Sequence, residues 1–176
     1  MSTAASLQSS KVFTGAAIVM GVTSCGKTSV GEALGLRLGV DFIEGDKLHP
    51  PANIAKMSAG MPLTDTDRWP WLGEIGTRLM GPGGRIASCS ALKRSYRQAL
   101  AEAARRPVTF VFLNGSRELL TERIRSRTGH FMPPSLLDSQ LATLEVPGSG
   151  EQFIALDVAL PVPEIVSQVA AFLLAI

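Results

Sequence analysis

A chain of 176 residues with a formal charge of +2 suits one domain around a single core, and its basic residues form no run that would recruit nucleic acid. No apolar stretch is long enough to span a membrane, so neither a membrane nor a nucleic-acid partner is expected. The two cysteines, Cys25 and Cys89, come with no Cys-x-x-Cys and no secretory leader, which points to a reducing cytoplasm and against a structural disulfide.

Residues 1–12 are mostly small and polar and read as a flexible tail, leaving 13–176 as the single domain. The apolar run Ala16 to Met20 reads as a buried strand. It leads into Gly21-Val22-Thr23-Ser24-Cys25-Gly26-Lys27-Thr28, a complete G-x-x-x-x-G-K-[ST] phosphate-binding loop. A helix over Lys27 to Leu38 follows, with Val30, Ala33, Leu34 and Leu38 at helical spacing. Next come a strand at Asp41 to Ile43, helices over Pro51 to Ala59 and Asp67 to Leu79, and the turn Gly-Pro-Gly-Gly at 81–84. A strand at Arg85 to Cys89 and a helix over Lys93 to Arg105 precede a strand at Thr109 to Leu113 and a helix over Ser116 to Arg127. Gly129 to Pro134 interrupts the helical pattern, which resumes over Ser135 to Leu144. A strand at Phe153 to Leu156 and a helix over Pro163 to Ala175 close the chain. Strands alternating with helices predict an α/β fold with a parallel sheet and right-handed crossovers. The interruption marks a small helical lid over about 124–140.

In such sheets the ligand crevice lies beyond the carboxyl ends of the strands. Four segments fall there: the loop at Gly21, Glu44 to His49, Ser90 to Lys93, and Asn114 to Ser116. The loop predicts a nucleoside triphosphate, its backbone N–H groups closing around phosphate oxygens at a helix N-terminus. Lys27 would reach the terminal phosphates, and the Thr28 hydroxyl would take one position on Mg²⁺. Cys25 beside Lys27 is either a thiol of lowered pKa or a position where only the backbone matters. Asp46 is the first candidate for the catalytic base, with substrate positioning or capping as its alternatives. His49, before two prolines, either bonds a substrate oxygen or braces its turn. Asp65 and Asp67 suit a helix N-terminus, whereas the Arg68 guanidinium could clamp a carboxylate. Trp69 and Trp71 read as core. Ser90 and Lys93 could hold an anionic, polyhydroxylated substrate, while Arg94 and Arg97 equally suit a solvated face. Arg123 and Arg127, four apart on one helical face, could serve base and phosphate beneath a water-excluding lid, or form a surface stripe.

Several longer strings resemble the gluconate kinases, small P-loop enzymes similar in plan to shikimate and adenylate kinases. They are the Gly21 to Thr28 loop, Gly45-Asp46-x-Leu48-His49-Pro50, Asn53-Ile54-x-Lys56-Met57, Pro62-Leu63-x-Asp65-x-Asp67-Arg68-x-Pro70-Trp71-Leu72, Cys89 to Lys93, Tyr96-Arg97, Gly129 to Met132 and Thr143 to Glu145. The resemblance implies a three-layer P-loop kinase fold with a five-stranded parallel sheet, ATP-dependent phosphorylation of D-gluconate, and a homodimer. It also implies ATP at the phosphate loop, the sugar acid at Asp46 and Arg68, substrate or phosphate at Lys93, and nucleotide at Arg123 and Arg127. Two positions depart from the pattern: Thr23-Ser24-Cys25 stands where Ser-Gly-Ser is commoner, and Gln98 where an acidic residue is common. Shikimate or a nucleotide as acceptor is the competing enzyme reading. A nucleotide-dependent switch would need Asn-Lys-x-Asp or Asp-x-x-Gly, and the chain has neither.

Overall fold

The computed structural model describes residues 11–126 and 134–176. Residues 1–10 of the expected tail and 127–133 of the expected lid lie outside it. Five strands, β1 (Ala16–Met20), β2 (Asp41–Ile43), β3 (Arg85–Ser88), β4 (Val108–Asn114) and β5 (Phe153–Asp157), form one sheet in the order β2-β3-β1-β4-β5. Every pairing is parallel, with Ala16 facing Arg85 on one side and Val108 on the other. The helices are α1 (Lys27–Leu38), α2 (Pro51–Ser58), α3 (Asp65–Arg78), α4 (Arg94–Ala104), α5 (Arg117–Ser126), α6 (Pro134–Thr143) and α7 (Val162–Ala175).

Alternation of side chains along each strand divides the apolar residues between two faces. Ala17, Val19, Val111 and Leu113 pack with Val30 and Leu34 of α1 and Val169 and Leu173 of α7. Ala16, Ile18, Met20, Phe110 and Phe112 pack with Trp71, Leu72 and Ile75 of α3 and Tyr96 and Leu100 of α4. A sheet between two helical layers is the architecture the alternation predicted. All five residues of β1 are buried, as its place at the centre of the sheet requires.

Five helix starts differ from the sequence reading by one or two residues, and two of them have a visible cause. α3 begins at Asp65 rather than Asp67, because Thr64 is its N-cap and forms a capping box with Asp67. α4 begins at Arg94, leaving Lys93 as an extended N-cap. Among the described residues, no helix is long and apolar enough to cross a membrane. The chain runs from central β1 to edge β2, returns to β3, then crosses to β4. The crevice therefore opens at the carboxyl ends of β1 and its two neighbours.

Candidate active site

The phosphate loop leaves β1 at Gly21, whose N–H donates to the Ser90 carbonyl at 3.3 Å and ties the loop to the end of β3. Gly26, with φ +97°, turns the chain into α1 in a conformation that L residues rarely adopt. It carries no side chain to cap the helix, so the first-turn N–H groups remain for an anion. Ser24 also has positive φ, and its buried Oγ has no hydrogen-bond partner among the described residues. A buried hydroxyl without a partner inside this loop fits a phosphate oxygen. Lys27 Nζ lies back along the loop, donating to the carbonyls of Gly21 at 3.1 Å and Val22 at 3.0 Å. The Thr23 N–H donates to Gln140 Oε1 at 2.6 Å, a bond reaching in from α6. Burial pushes the Cys25 thiol up, outweighing the neighbouring Lys27 charge, so the lowered pKa considered from sequence is not found.

Behind the loop, Thr28 Oγ1 donates to Glu44 Oε2 at 2.5 Å. The other oxygen of Glu44 accepts from Ser88 Oγ, which in turn accepts from the Gly45 N–H at 3.0 Å. A Cβ on Gly45 would lie 1.9 Å from the Ser88 carbonyl oxygen, so glycine is what lets this turn approach β3. The sequence reading gave Thr28 a role but placed Glu44 only in the crevice segment Glu44 to His49, and it did not single out Ser88. A hydroxyl and a carboxylate suit Mg²⁺, which takes one or two protein oxygens beside phosphate and water. Among the described residues there is no larger His, Cys, Asp and Glu cluster to suggest a different metal.

Asp46 is exposed in the 3-10 turn Gly45–Leu48. Trp71 fixes that turn: its Nε1 donates to the Gly45 carbonyl at 2.8 Å, and its ring stacks on His49 with centroids 4.0 Å apart. Trp71 thus serves both core and site, while Trp69 is 41% exposed and lies edge-on to Tyr96, contrary to the core expectation. The Asn53 side-chain amide sits 3.3 Å from His49 Nδ1 and donates to the Asp67 carbonyl at 2.9 Å. Burial lowers the His49 pKa, with Asp46 opposing and Arg68 adding to the effect, so the ring is neutral at pH 7 and suited to bracing the turn.

Arg68 Nη1 donates to the Leu63 carbonyl at 2.6 Å and lies 3.5 Å from Tyr96 Oη. Lys93 Nζ donates to both oxygens of Asp65 at 3.0 and 2.9 Å, and Tyr96 Oη donates to Asp65 Oδ1 at 2.5 Å. Asp65 is therefore the junction of this polar cluster, its carboxyl held low by Tyr96 and then by Lys93. The capping role expected of both aspartates belongs to Asp67 alone. Its carboxyl, bonded by Lys56 and by Thr64, is depressed to about 2.

Ser90 is half-buried and contributes its carbonyl to the phosphate loop; its hydroxyl makes no hydrogen bond among the described residues. Arg97 is not on a solvated face. It is buried, paired with Glu151 at 2.5 Å, and its Nη1 donates to the carbonyls of Ala91 at 3.0 Å and Leu92 at 3.3 Å. Arg94 is the exposed one, and its backbone N–H donates to Glu145 Oε2 at 2.6 Å. Burial pushes the Cys89 thiol up to about 12. The Gly21–Ser90 bond thus joins the phosphate loop to the segment that leads to Lys93 and its partner Asp65.

Arg123 Nη2 donates to the Val158 carbonyl at 2.5 Å and lines a cavity of about 340 Å³ with Ser24, Cys25, Ser29 and Leu160. Arg127 lies outside the described residues, as do Gly129, His130, Phe131 and Met132. A larger depression of about 530 Å³ lies among Phe13, Arg106 and Leu173 at the amino ends of the strands, away from the phosphate loop.

No family model matches the chain. Gluconokinase from Gluconobacter oxydans (strain 621H) is 52% identical to it over 141 residues, covering 78% of this chain and 79% of that protein. The chain belongs to the gluconokinase family. A crystal structure of a gluconokinase from Sinorhizobium meliloti 1021 is 54% identical, superposes with a TM-score of 0.82, and covers 92% of this chain and 93% of its own. Shikimate kinase from Bacteroides thetaiotaomicron shares the fold alone, with a TM-score of 0.63 at 14% identity over 91% of this chain and 98% of its own. Of the strings quoted from the sequence, Gly129 to Met132 lies outside the described residues; others supply the phosphate loop, the Gly45 turn, the start of α3 and the Cys89 to Lys93 segment. Glu145, in one of them, proves to anchor the start of α4 and so the loop that ends at Lys93.

Proposed function

We propose that the protein transfers the γ-phosphoryl group of ATP in line to the terminal hydroxyl of D-gluconate, giving 6-phospho-D-gluconate. The observation that carries this reading is the bond from the Gly21 N–H to the Ser90 carbonyl, which ties the phosphate loop to the strand end that runs on to Lys93 and its Asp65, Tyr96 and Arg68 neighbours. This link supports reading the loop as the donor side and the Asp46, Arg68 and Lys93 group as the sugar-acid side of one crevice.

The loop amides and the Ser24 hydroxyl cradle the phosphates, and the Lys27 ammonium swings from its own loop carbonyls to the terminal ones. Thr28 and Glu44 would hold Mg²⁺, which would supply positive charge beside the phosphates. Arg68 keeps Nε and Nη2 free of hydrogen bonds among the described residues, leaving one edge of the guanidinium for the carboxylate of gluconate. Lys93, Tyr96 and Asp65 form a polar wall beside it, and neutral His49 holds the turn that presents Asp46. Asp46 orients the acceptor hydroxyl or accepts its proton. Arg123, in the cavity beside the phosphate loop, would flank the nucleobase, and Arg127, outside the described residues, is proposed to serve the nucleotide with it. A cytoplasmic homodimer completes the proposal; the free, buried Cys25 and Cys89 accord with a reducing compartment.

A coupled assay over gluconate, gluconolactone, shikimate and nucleoside monophosphates tests the acceptor. Gluconate should be the preferred substrate, and Asp46→Asn should lower its kcat by roughly 10²- to 10⁴-fold with ATP binding little changed. Turnover of another acceptor but not gluconate would overturn the substrate assignment, and wild-type turnover by Asp46→Asn would remove Asp46 from the chemistry.

A further inference from the structure

Asp65 stands beside two cations. Lys93 Nζ lies 3.0 and 2.9 Å from its two oxygens, and Arg68 Nη1 lies 3.8 Å from Oδ1. Both cations also lie near one Tyr96 ring, Arg68 Cζ 5.7 Å and Lys93 Nζ 5.2 Å from its centroid, and the phenol of that buried residue donates to Asp65 Oδ1. Two cations and one carboxylate are thus gathered about a single aromatic ring, leaving one net positive charge. Tyr96 and then Lys93 hold the Asp65 carboxyl low, and Asp65 holds the Lys93 ammonium up, so all three groups are ionised at pH 7. The adjoining pair of Lys56 and Asp67, 2.7 Å apart, adds no net charge. The helix itself does not require the Asp65 carboxylate. Thr64 and Asp67 form the capping box of α3, and the Asp65 side chain is 46% exposed, where an ion pair adds little stability. A carboxylate beside groups that bind an anion weakens that binding, a cost that has a use in discriminating between anions.

We propose that Asp65 is a specificity-determining residue of the acceptor site: its carboxylate cancels one of the two neighbouring cations, so the site takes polyhydroxylated acceptors with a singly charged headgroup and rejects those with a doubly charged one. A carboxylate meets one uncancelled positive charge. A phosphate monoester, a dianion above its second pKa near 6, brings a further negative charge that Asp65 repels. Sugar acids are thereby separated from polyol phosphates of similar length, which also carry a free terminal hydroxyl. This inference rests on the reading of Arg68 and Lys93 as the sugar-acid side of the crevice. It concerns the charge of the headgroup, so it is separable from gluconate as the particular acid.

The test uses Asp65→Asn, which removes the charge and keeps an oxygen for Tyr96, and Asp65→Glu, which keeps the charge and changes the geometry. For each protein, KM for gluconate and the Ki of glucitol 6-phosphate as its competitor are measured at pH 8 and saturating ATP. Loss of the carboxylate relieves both headgroups but relieves the dianion by one charge more. The ratio of Ki to KM should therefore fall roughly tenfold in Asp65→Asn, the scale of one charge pair near a protein surface, and stay within about twofold of wild type in Asp65→Glu. An unchanged ratio in Asp65→Asn would overturn the proposal. An equal fall in both variants would also overturn it, since geometry and not charge would then set the preference. Wild-type protein that phosphorylates another sugar acid but not gluconate would strike the gluconate reading alone, because the same competition is then measured against that acid.

Discussion

Glu151→Gln isolates the interaction that holds the acceptor loop from beneath. In the native protein Arg97 is 1% exposed, and its guanidinium is bonded through Nε at 2.5 Å and Nη2 at 3.1 Å to the two carboxylate oxygens of Glu151. The neutral amide leaves a buried guanidinium without its counter-charge, which costs about 3–5 kcal/mol in buried pairs. The replacement keeps one oxygen that can still accept from Arg97, so the lower end applies, about 3 kcal/mol. For a domain of this size each kcal/mol moves Tm by about 2–4 °C, so melting followed by circular dichroism at pH 7 should fall by roughly 6–12 °C. Arg97 also holds the carbonyls of Ala91 and Leu92, so KM for gluconate should rise as the loop that ends at Lys93 loosens. The pH dependence supplies a second check. Arg97 holds the Glu151 carboxyl below its ordinary 4.5, so its stabilising effect is complete above that value and is lost as pH falls through the lowered one. The gap in Tm between wild type and variant should therefore narrow on acidification. A loss under about 1 kcal/mol at pH 7, or a gap that stays constant into acid, would refute the claim that this buried pair stabilises the fold.

Glu44→Gln keeps the shape of the residue behind Thr28 and removes its charge; the Mg²⁺ concentration for half-maximal rate should rise roughly tenfold or more, and an unchanged requirement would dissociate Glu44 from the metal. Cys25 is buried with its thiol pushed up, so alkylation at pH 8 should be far slower than for a free thiol and slower again with ATP in the adjoining cavity. Rapid labelling, or equal rates with and without ATP, would count against both the burial and the position beside the nucleotide.

The sheet, the helices and the phosphate loop were legible because each is encoded locally. Ala16 to Met20 is a buried run, Gly21 to Thr28 has fixed spacing, and Val30 and Leu34 share a helical face. What the sequence did not reveal was which polar groups hold each other across long separations. Asp65 looks like an N-terminal carboxylate of α3, and only the fold of α4 against α3 brings Lys93 and Tyr96 onto it. Arg97 looks like one more surface arginine of α4 until Glu151 arrives from the turn before β5. Gln140 has no local signature at all, since nothing near it says that its helix passes the phosphate loop. Glu44 was placed at the crevice by its position directly after β2, but nothing local assigns it to Thr28 and Ser88.

The stretch from Gln140 to Glu151 touches both halves of the crevice. It meets the donor side at Thr23 and the acceptor side at Leu92, Arg94 and Arg97. For anyone redesigning acceptor preference, this makes the transplantable unit larger than it looks. Exchanging Ser90 to Arg97 between relatives would leave the incoming loop on a foreign mount, so the recipient must receive the returning stretch as well.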